Sequence, residues 1–339
     1  MGTAAPQARS EDELVATRCW SYPLNSAGAV TFTPDADRVF LGMGGARVEA
    51  VAVDGAKLWS TELGGDIISN ILPRKNTLFV ATAGPLTGDG KSGEGMLRAL
   101  SRETGITLWT LKLSSAARHS LHGLNEDLVI VSNNGVIQSV DAKTGAGKWK
   151  REIADGFMAS PVFTKESVLV AASGKQVFGV LLATGEIDSM RRSQVAITAL
   201  AETSGGELVT GDERGNITAY IRGSDKVSWR FKVGGQISGL FAQGDNLIAT
   251  SHDNFVYFIS SRNGGVIWKK RLGGRVSHVA TVANKYALST SFEEHGAGIT
   301  ELLTGKPLGN ILLGNEESIT ADPSVSAGRL FILTTQSLH

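Results

Sequence analysis

Short apolar runs separated by turn residues recur along the whole chain, and residues 127–153 show the pattern clearly. The runs DLVIVS (127–132) and VIQSVD (136–141) are rich in β-branched residues, and the hairpin signal NNG lies between them. After the turn AKTGA, the segment GKWKREI (147–153) alternates apolar and polar residues with the period of a strand. Together with the following run FMASPVF, this pattern predicts four short strands in each unit of about forty residues.

Tryptophan and glycine repeat with the same spacing as these runs. Threonine–glycine pairs begin at positions 104, 144, 184 and 304, and glycines four residues before several tryptophans follow the same register. Eight anchors result, at positions 20, 59, 109, 149, 189, 229, 268 and 309. Six of the anchors are tryptophans, which we expect to pack neighbouring units together: Trp20, Trp59, Trp109, Trp149, Trp229 and Trp268. Four strands per repeat of about forty residues is typical of a β-propeller blade.

The repeat predicts an all-β fold, an eight-bladed β-propeller of four-stranded antiparallel blades. Seven units are complete, whereas residues 15–22 supply only an outer strand, and SITADPSV with RLFILTT supplies only inner strands. Pairing of the N- and C-terminal strands would close the ring and leave no exposed sheet edge. Seven blades are the alternative. For either number of blades, residues 1–14 are predicted to be a disordered N-terminal segment and residues 15–339 a single propeller domain.

Composition and charge narrow the function classes. The 33 basic and 33 acidic residues of this 339-residue chain cancel, which argues against nucleic-acid binding. No apolar run approaches the length of a membrane span, so we predict no transmembrane segment in this chain. The single cysteine, Cys19, excludes an internal disulfide, and we expect its side chain to be buried in the closing strand.

The segments SVDAKTGAGKW (139–149) and ALSRETGITLW (99–109) resemble the pyrroloquinoline-quinone (PQQ)-like repeat, and the resemblance covers essentially the whole chain. An eight-bladed chain of this length is similar to the BamB family, the scaffolds of outer-membrane β-barrel assembly in bacteria. The resemblance implies a non-enzymatic protein that binds a protein partner, such as a β-barrel assembly component. It also implies a periplasmic or otherwise extracytoplasmic location, with the cytoplasm as the alternative. We expect a monomer without cofactor or metal.

Candidate partner-binding residues come from two loops. The resemblance assigns the first partner loop to LKLSSAARHSLHGL (111–124), in which Arg118 and His119 are the candidates. The family's second partner loop has no clear counterpart, and its place holds GFMASP (156–161). The insertion GPLTGDGKSGEGM (84–96) lengthens one repeat unit, and loops on a rigid scaffold often carry function. Three of its charged residues are therefore also candidates: Asp89, Lys91 and Glu94.

Two other function classes remain open. PQQ-like repeats also occur in quinone-dependent dehydrogenases, which bind the quinone and a calcium ion in the central funnel. The candidate inner strands of this chain are mostly apolar or small, and only Asn70 and Glu202 resemble ligands of calcium, which needs about six to eight oxygens. We therefore expect no catalytic residue. The third class is a propeller that binds a carbohydrate or another small ligand.

Overall fold

The computed structural model describes residues 17–24, 28–84, 93–153, 156–173, 175–221, 223–314 and 316–339. These ranges fold into β-strands, turns and loops without an α-helix, and so without a helix that could cross a membrane. The predicted disordered segment 1–14 lies outside the described residues.

The strands form seven consecutive groups of four, with a single strand before them and three short strands after them. The single first strand is β1 (Tyr22–Pro23), and blades 1 and 2 consist of β2 (Ala29–Pro34), β3 (Arg38–Met43), β4 (Arg47–Ala52), β5 (Lys57–Glu62), β6 (Leu72–Arg74), β7 (Thr77–Ala83), β8 (Gly95–Ser101) and β9 (Thr107–Leu113). Blades 3 and 4 consist of β10 (His119–Leu124), β11 (Asp127–Ser132), β12 (Val136–Asp141), β13 (Gly147–Glu152), β14 (Val162–Phe163), β15 (Ser167–Ala172), β16 (Gln176–Leu181) and β17 (Ile187–Arg192). Blades 5 and 6 consist of β18 (Ile197–Glu202), β19 (Leu208–Asp212), β20 (Asn216–Tyr220), β21 (Val227–Lys232), β22 (Ile237–Gln243), β23 (Asn246–Ser251), β24 (Phe255–Ser260) and β25 (Val266–Arg271). Blade 7 consists of β26 (Val276–Val282), β27 (Tyr286–Ser291), β28 (Gly296–Glu301) and β29 (Pro307–Leu312), and the chain ends with β30 (Ser324–Ser326), β31 (Arg329–Phe331) and β32 (Ser337–Leu338).

Each blade is an antiparallel sheet whose four strands follow one another in chain order. In blade 3, for example, Leu128 of β11 lies opposite Val140 of β12. The second and third strands are largely buried because neighbouring blades cover both of their faces, whereas the fourth strand is largely exposed. A strand covered on both faces has no solvent-facing side, which explains the continuous apolar run DLVIVS. The prediction of an all-β propeller built from four-stranded antiparallel blades is confirmed.

The described residues form seven complete blades, which is the alternative number, and the prediction of eight four-stranded blades is wrong. The chain ends instead form two separate ladders, β30 with β31 and β1 with β32. Each of these strands has only two or three residues. The ladders are joined by the bridge between Leu333 and Leu338 and by two backbone hydrogen bonds between Ile332 and His339, at 3.0 and 2.9 Å. The chain reverses directly after β31, where the Thr334 N–H donates to the Ser337 carbonyl at 2.8 Å. The terminal strands thus follow the order β30, β31, β32, β1, but they do not form one continuous four-stranded sheet.

The predicted pairing between the two chain ends is confirmed. Tyr22 lies opposite Leu338, and Pro23 lies opposite Ser337. Because the closing strand begins only at Tyr22, Cys19 precedes it and is exposed, which corrects the expectation that this side chain is buried.

The two terminal ladders fill the space between the last blade and the first. Strand β30 contacts the inner strand β2 of blade 1 and the inner strand β26 of blade 7. On one side Leu333 packs in a cluster with Leu41 of blade 1, and on the other Ile332 packs with Ala297 of blade 7. The ring is therefore closed through apolar packing as well as through strand pairing.

Tryptophans connect successive repeat units. Five of them lie on the fourth strands β5, β9, β13, β21 and β25, and Trp20 lies just before β1. All of these indole N–H groups except that of Trp149 donate to a backbone carbonyl about one repeat further along the chain. The donor–acceptor pairs are Trp20 to Val53, Trp59 to Arg102, Trp109 to Ala142, Trp229 to Ser261 and Trp268 to Leu302, at 2.5, 3.0, 3.3, 2.6 and 2.8 Å.

A glycine in the turn of the next blade makes room for each of these rings. Gly145 of blade 3 has φ of 75°, and a Cβ there would lie 2.9 Å from Cε3 of Trp109. At Gly185 of blade 4 the corresponding distance to Trp149 is 2.4 Å. Both the left-handed backbone and the close contact require glycine at this position.

The interface between blades 4 and 5 is built differently. Ser189 occupies the tryptophan position of β17, and Asp225 occupies the position of the turn glycine. The Arg191 guanidinium lies over the Tyr220 ring, 4.1 Å from its centroid, forms an ion pair with Asp225 at 2.9 Å and donates to the Ser224 carbonyl at 2.9 Å. An arginine and a tyrosine therefore take the place of the tryptophan and glycine.

Candidate functional site

A cavity of about 490 Å³ opens where the inner strands of blades 1 to 4 begin. Its wall comes mainly from the loops that lead from a fourth strand into the next inner strand. The lining residues are Val30, Thr31, Ile67, Ile68, Ser69, Asn70, Arg118, His119, Ser120, Val131, Asn133, Phe157, Met158, Ala159, Ser160 and Pro161. The lining combines one cationic side chain, that of Arg118, with small polar side chains and with apolar side chains.

The repeat explains why these segments meet. Residues 67–70, 117–118 and 157–161 each follow the fourth strand of one blade and precede the inner strand of the next, and His119 and Ser120 begin the inner strand β10. Corresponding loops of successive blades lie side by side around the axis of a propeller. The candidate loop 111–124 and the segment GFMASP (156–161), more than thirty residues apart in sequence, therefore line one cavity.

Arg118 is the one arginine that lines this cavity, and its side chain is exposed. Its carbonyl accepts a hydrogen bond from the Asn133 N–H at 2.9 Å, which fixes the backbone of the loop. Across the described part of the chain, its guanidinium forms neither an ion pair nor a hydrogen bond. Two apolar side chains of the same lining are unusually exposed, Val30 at 57% and Met158 at 55%. A cation without a partner among the described residues, in one lining with exposed apolar groups, is suited to bind a partner that is both acidic and apolar.

The surroundings of His119 suit a role in fixing the loop rather than in contacting a partner directly. Its side chain is buried, and Nδ1 lies 2.7 Å from Oγ of Ser132 on the neighbouring strand. Burial lowers the pKa of His119 to about 4, and the hydrogen-bonding influence of the Ser115 carbonyl offsets only part of this effect. The ring is therefore neutral at physiological pH and holds the Arg118 loop against β11.

His119 and His122 do not form a metal-binding pair. Three residues apart on strand β10, they point to opposite faces of the blade. His122 stacks on Phe163, with ring centroids 4.1 Å apart. The described ranges contain no group of three or more His, Cys, Asp or Glu side chains arranged to hold a metal ion.

The insertion between β7 and β8 leaves the ring next to the Arg118 loop. Asp89 and Lys91 lie outside the described residues. Glu94 at its base is exposed and forms an ion pair with Lys112 at 3.3 Å. A Cβ at the next residue, Gly95, would lie 2.6 Å from the Ser115 carbonyl oxygen and 3.4 Å from Nε2 of His119, so the base of the insertion touches the candidate loop.

The two residues considered as calcium ligands are not brought together. Both polar atoms of the Asn70 side chain bond to the backbone of Leu121, with Nδ2 donating at 3.1 Å and Oδ1 accepting at 2.8 Å. Asn70 thus joins the inner strands of blades 2 and 3. Glu202 is the last residue of its inner strand β18. The equivalent residue of blade 2 is Arg74, which lies four residues beyond Asn70 in the sequence. At the rise of a β-strand this separates the two levels of the ring by about 13 Å.

Sequence reasoning did not find Val30 and Met158. Met158 lies in the segment GFMASP, whose position in the repeat was the available signal. No local pattern marks Val30 as exposed, because its exposure depends on how blade 1 meets the cavity.

Similarity to known proteins agrees with this architecture. The family model described as "Outer membrane protein assembly factor BamB" matches residues 93–189 and 183–338, which is more than half of the chain. The chain belongs to this family. The resemblance of its repeats to PQQ-like repeats of the BamB family is therefore confirmed.

Relatives of the BamB family are distant in sequence. Outer membrane protein assembly factor BamB of Yersinia pestis is 21% identical over 254 residues, which cover 64% of this chain and 61% of that protein. The match thus spans less than two thirds of the relative's length. BamB of Shewanella oneidensis is 22% identical over 289 residues, which cover 79% of this chain and 69% of that protein.

Two solved structures share the fold. The crystal structure of BamB from Moraxella catarrhalis superposes with a TM-score of 0.72 and 17% identity, and the match covers 96% of this chain and 98% of that one. The computationally designed protein Ika8 superposes with a TM-score of 0.78 and 16% identity, covering 94% and 98%. At these identities the likeness supports the propeller architecture alone.

Proposed function

We propose that this chain is a non-enzymatic scaffold of outer-membrane protein assembly that binds a protein partner through the cavity around Arg118. Membership of the BamB family supports the assembly role, because the named relatives are assembly factors. An extracytoplasmic location is part of the same proposal, and so is a monomeric state. The proposed partner is a component of the β-barrel assembly machinery.

The observation that carries the proposal is the exposed Arg118, whose guanidinium is unpaired among the described residues, in one cavity with the exposed side chains of Val30 and Met158. In this arrangement an acidic side chain of the partner pairs with the guanidinium, and a neighbouring apolar side chain packs on Val30 or Met158. His119 acts as a positioning residue for the loop. Glu94, Asp89 and Lys91 are proposed as peripheral contacts, since the base of their insertion touches the Arg118 loop.

The binding experiment uses the purified chain and the purified soluble region of a β-barrel assembly component, titrated by calorimetry. Arg118→Glu reverses a charge at the proposed contact, and we expect the affinity to fall about tenfold or more. Arg192→Glu is the matched control, because Arg192 is an exposed arginine at the end of β17 that does not line the cavity. Equal losses for the two variants, or no binding by the unaltered chain, would contradict the proposed interface.

The absence of enzymatic activity has its own test. Dye-linked oxidation of alcohols and sugars is measured with PQQ and calcium added to the chain. We expect no quinone-dependent turnover, since the Asn70 amide is already bonded to Leu121. Turnover that is lost on replacing Asn70 or Glu202 would overturn the non-enzymatic assignment.

A further inference from the structure

A second cavity, of about 320 Å³, lies in the groove between blades 6 and 7, away from the Arg118 site. One residue of its lining, Gly298, is a glycine where the other complete blades have a side chain. In each complete blade, one residue of the third strand lies opposite the residue that directly follows the tryptophan position. In the other six complete blades this third-strand residue has a side chain: Glu49, Arg98, Gln138, Phe178, Thr218 and Tyr257. In blade 7 this residue is Gly298, opposite Asn310.

Lys270 of β25 enters the space left by Gly298. A Cβ at Gly298 would lie 2.6 Å from Nζ of Lys270, so the ammonium group occupies this volume. The ammonium donates to Oγ1 of Thr300 at 3.1 Å. Burial lowers the pKa of Lys270, and the nearby charge of Glu294 acts in the opposite direction. Within the described ranges Lys270 has no ion-pair partner, and two of its three N–H groups have no protein acceptor.

The rest of the cavity is suited to an anion with an apolar neighbour. Asn310 lines it, and the side-chain amide of Asn310 has no hydrogen-bond partner among the described residues. Glu294 also lines the cavity, but its Oε1 already accepts a hydrogen bond from the Gly273 N–H at 3.1 Å. Leu312 lies at the mouth with 79% of its surface exposed.

We propose that the groove between blades 6 and 7 binds a carboxylate attached to an apolar group, with Lys270 and Asn310 as donors and Leu312 as the apolar contact. An ammonium with free N–H groups in a partly dry cavity forms a charge-assisted hydrogen bond to a carboxylate, which is stronger than a neutral one. The site is independent of the partner interface proposed above. Its ligand is either a small carboxylic acid or the C-terminal carboxylate of a polypeptide.

The test measures binding by NMR, following the ε-CH₂ signal of Lys270 in protein labelled at lysine. The probes are isovalerate and acetyl-Ala-Ala-Leu with a free carboxylate, each compared with its neutral amide. We expect the acids to shift the Lys270 signal and to bind at least about tenfold more tightly than the amides. A peptide that binds about tenfold more tightly than isovalerate identifies a chain terminus as the ligand, and equal affinities identify a small acid.

Two variants localise the effect. Lys270→Met removes the ammonium, and Gly298→Gln restores the residue that blade 3 has at this position, so that Lys270 is displaced. Both should reduce acid binding at least about tenfold. Lys112→Met, at an exposed lysine of blade 2, is the control and should bind as the unaltered chain does. Equal affinity for acid and amide, no shift up to roughly 50 mM probe, or full binding by Gly298→Gln overturns the proposal.

Discussion

The interface between blades 2 and 3 and the interface between blades 4 and 5 join equivalent strands in two different ways. In the first, the Trp109 ring packs against Gly145 and its indole N–H donates to the Ala142 carbonyl. In the second, Arg191 lies over Tyr220 and pairs with Asp225. The aromatic ring has moved from the outer strand of one blade to the third strand of the next.

The two arrangements differ in the kind of energy that stabilises them. A tryptophan buries a large apolar area, and salt does not weaken that contribution. The Arg191–Asp225 pair is screened, because the Asp225 side chain is 87% exposed. A cation–π contact contributes only about 0.5–2 kcal/mol, depending on its exposure. The interface between blades 4 and 5 is therefore weaker and more sensitive to salt than the interfaces between complete blades that a tryptophan joins, and among these we expect local opening to begin between blades 4 and 5.

The largest effect is expected for Trp109→Ala. Loss of the ring leaves a cavity between blades 2 and 3, and we expect the free energy of unfolding to fall by about 3 kcal/mol. Urea denaturation monitored by circular dichroism measures this. Ser189→Ala, at the equivalent position of blade 4, is the control and should change the same quantity by less than about 0.5 kcal/mol. Similar values for the two variants would mean that the interfaces do not differ as described.

Gly145→Ala tests how much the close contact between the turn glycine and Trp109 contributes to the interface between blades 2 and 3. The new Cβ meets Trp109 and also imposes a left-handed conformation on alanine, and we expect a loss of about 2 kcal/mol. The control is Gly223→Ala in blade 5, where φ is 66° but no atom lies within 4 Å of a Cβ. That variant should lose only about 1 kcal/mol, from the backbone alone. Thermal unfolding of the pair isolates the contact with tryptophan, and an equal loss in both variants would exclude it.

Arg191→Ala tests the contribution of the arginine to the interface between blades 4 and 5. The variant loses the contact with Tyr220 and the bond to the Ser224 carbonyl, and we expect a loss of about 1–2 kcal/mol in urea denaturation. Arg191→Lys keeps the charge but not the planar group, and should recover less than half of this loss. Full recovery by lysine would show that charge alone stabilises the interface.

Asp225→Asn has the smallest expected effect. It removes only the exposed partner of the ion pair, so the loss should be below about 0.5 kcal/mol. Repeating the urea series at about 1 M salt should abolish the difference, because exposed charges are screened there. A loss that persists at high salt would point to a hydrogen-bonding role for Asp225 instead.

The sequence predicted the blades because their determinants are local and periodic. Runs such as DLVIVS, the turn NNG and the spacing of Trp109 and Trp149 each specify one strand or turn. The number of complete blades is not specified in this way. SITADPSV and RLFILTT have the composition of strands of ordinary length, but their regular pairing is confined to Ser324–Ser326 with Arg329–Phe331. Beyond it, Ile319 and Thr334 form only an isolated bridge.

The candidate site was predictable only in part for a related reason. The position of Arg118 in the repeat identified its loop, and the segment 156–161 could be located in the same way. The exposure of Val30 and the burial of Lys270 follow from contacts between different blades. The position of the Lys270 ammonium depends on Gly298, which lies on the neighbouring blade. No periodic pattern within one strand indicates such a contact between blades.

The pairing of Tyr22 with Leu338 has a topological consequence. Because Tyr22 and Leu338 lie in one ladder, a short linker could join the segments around them, and new ends could be opened in a loop between two complete blades. Such a circular permutant would have the same blades in the same cyclic order, with a covalent bond where the terminal ladder now closes the ring by hydrogen bonds. The order of the blades around the ring, rather than the position of the chain ends, then defines the fold.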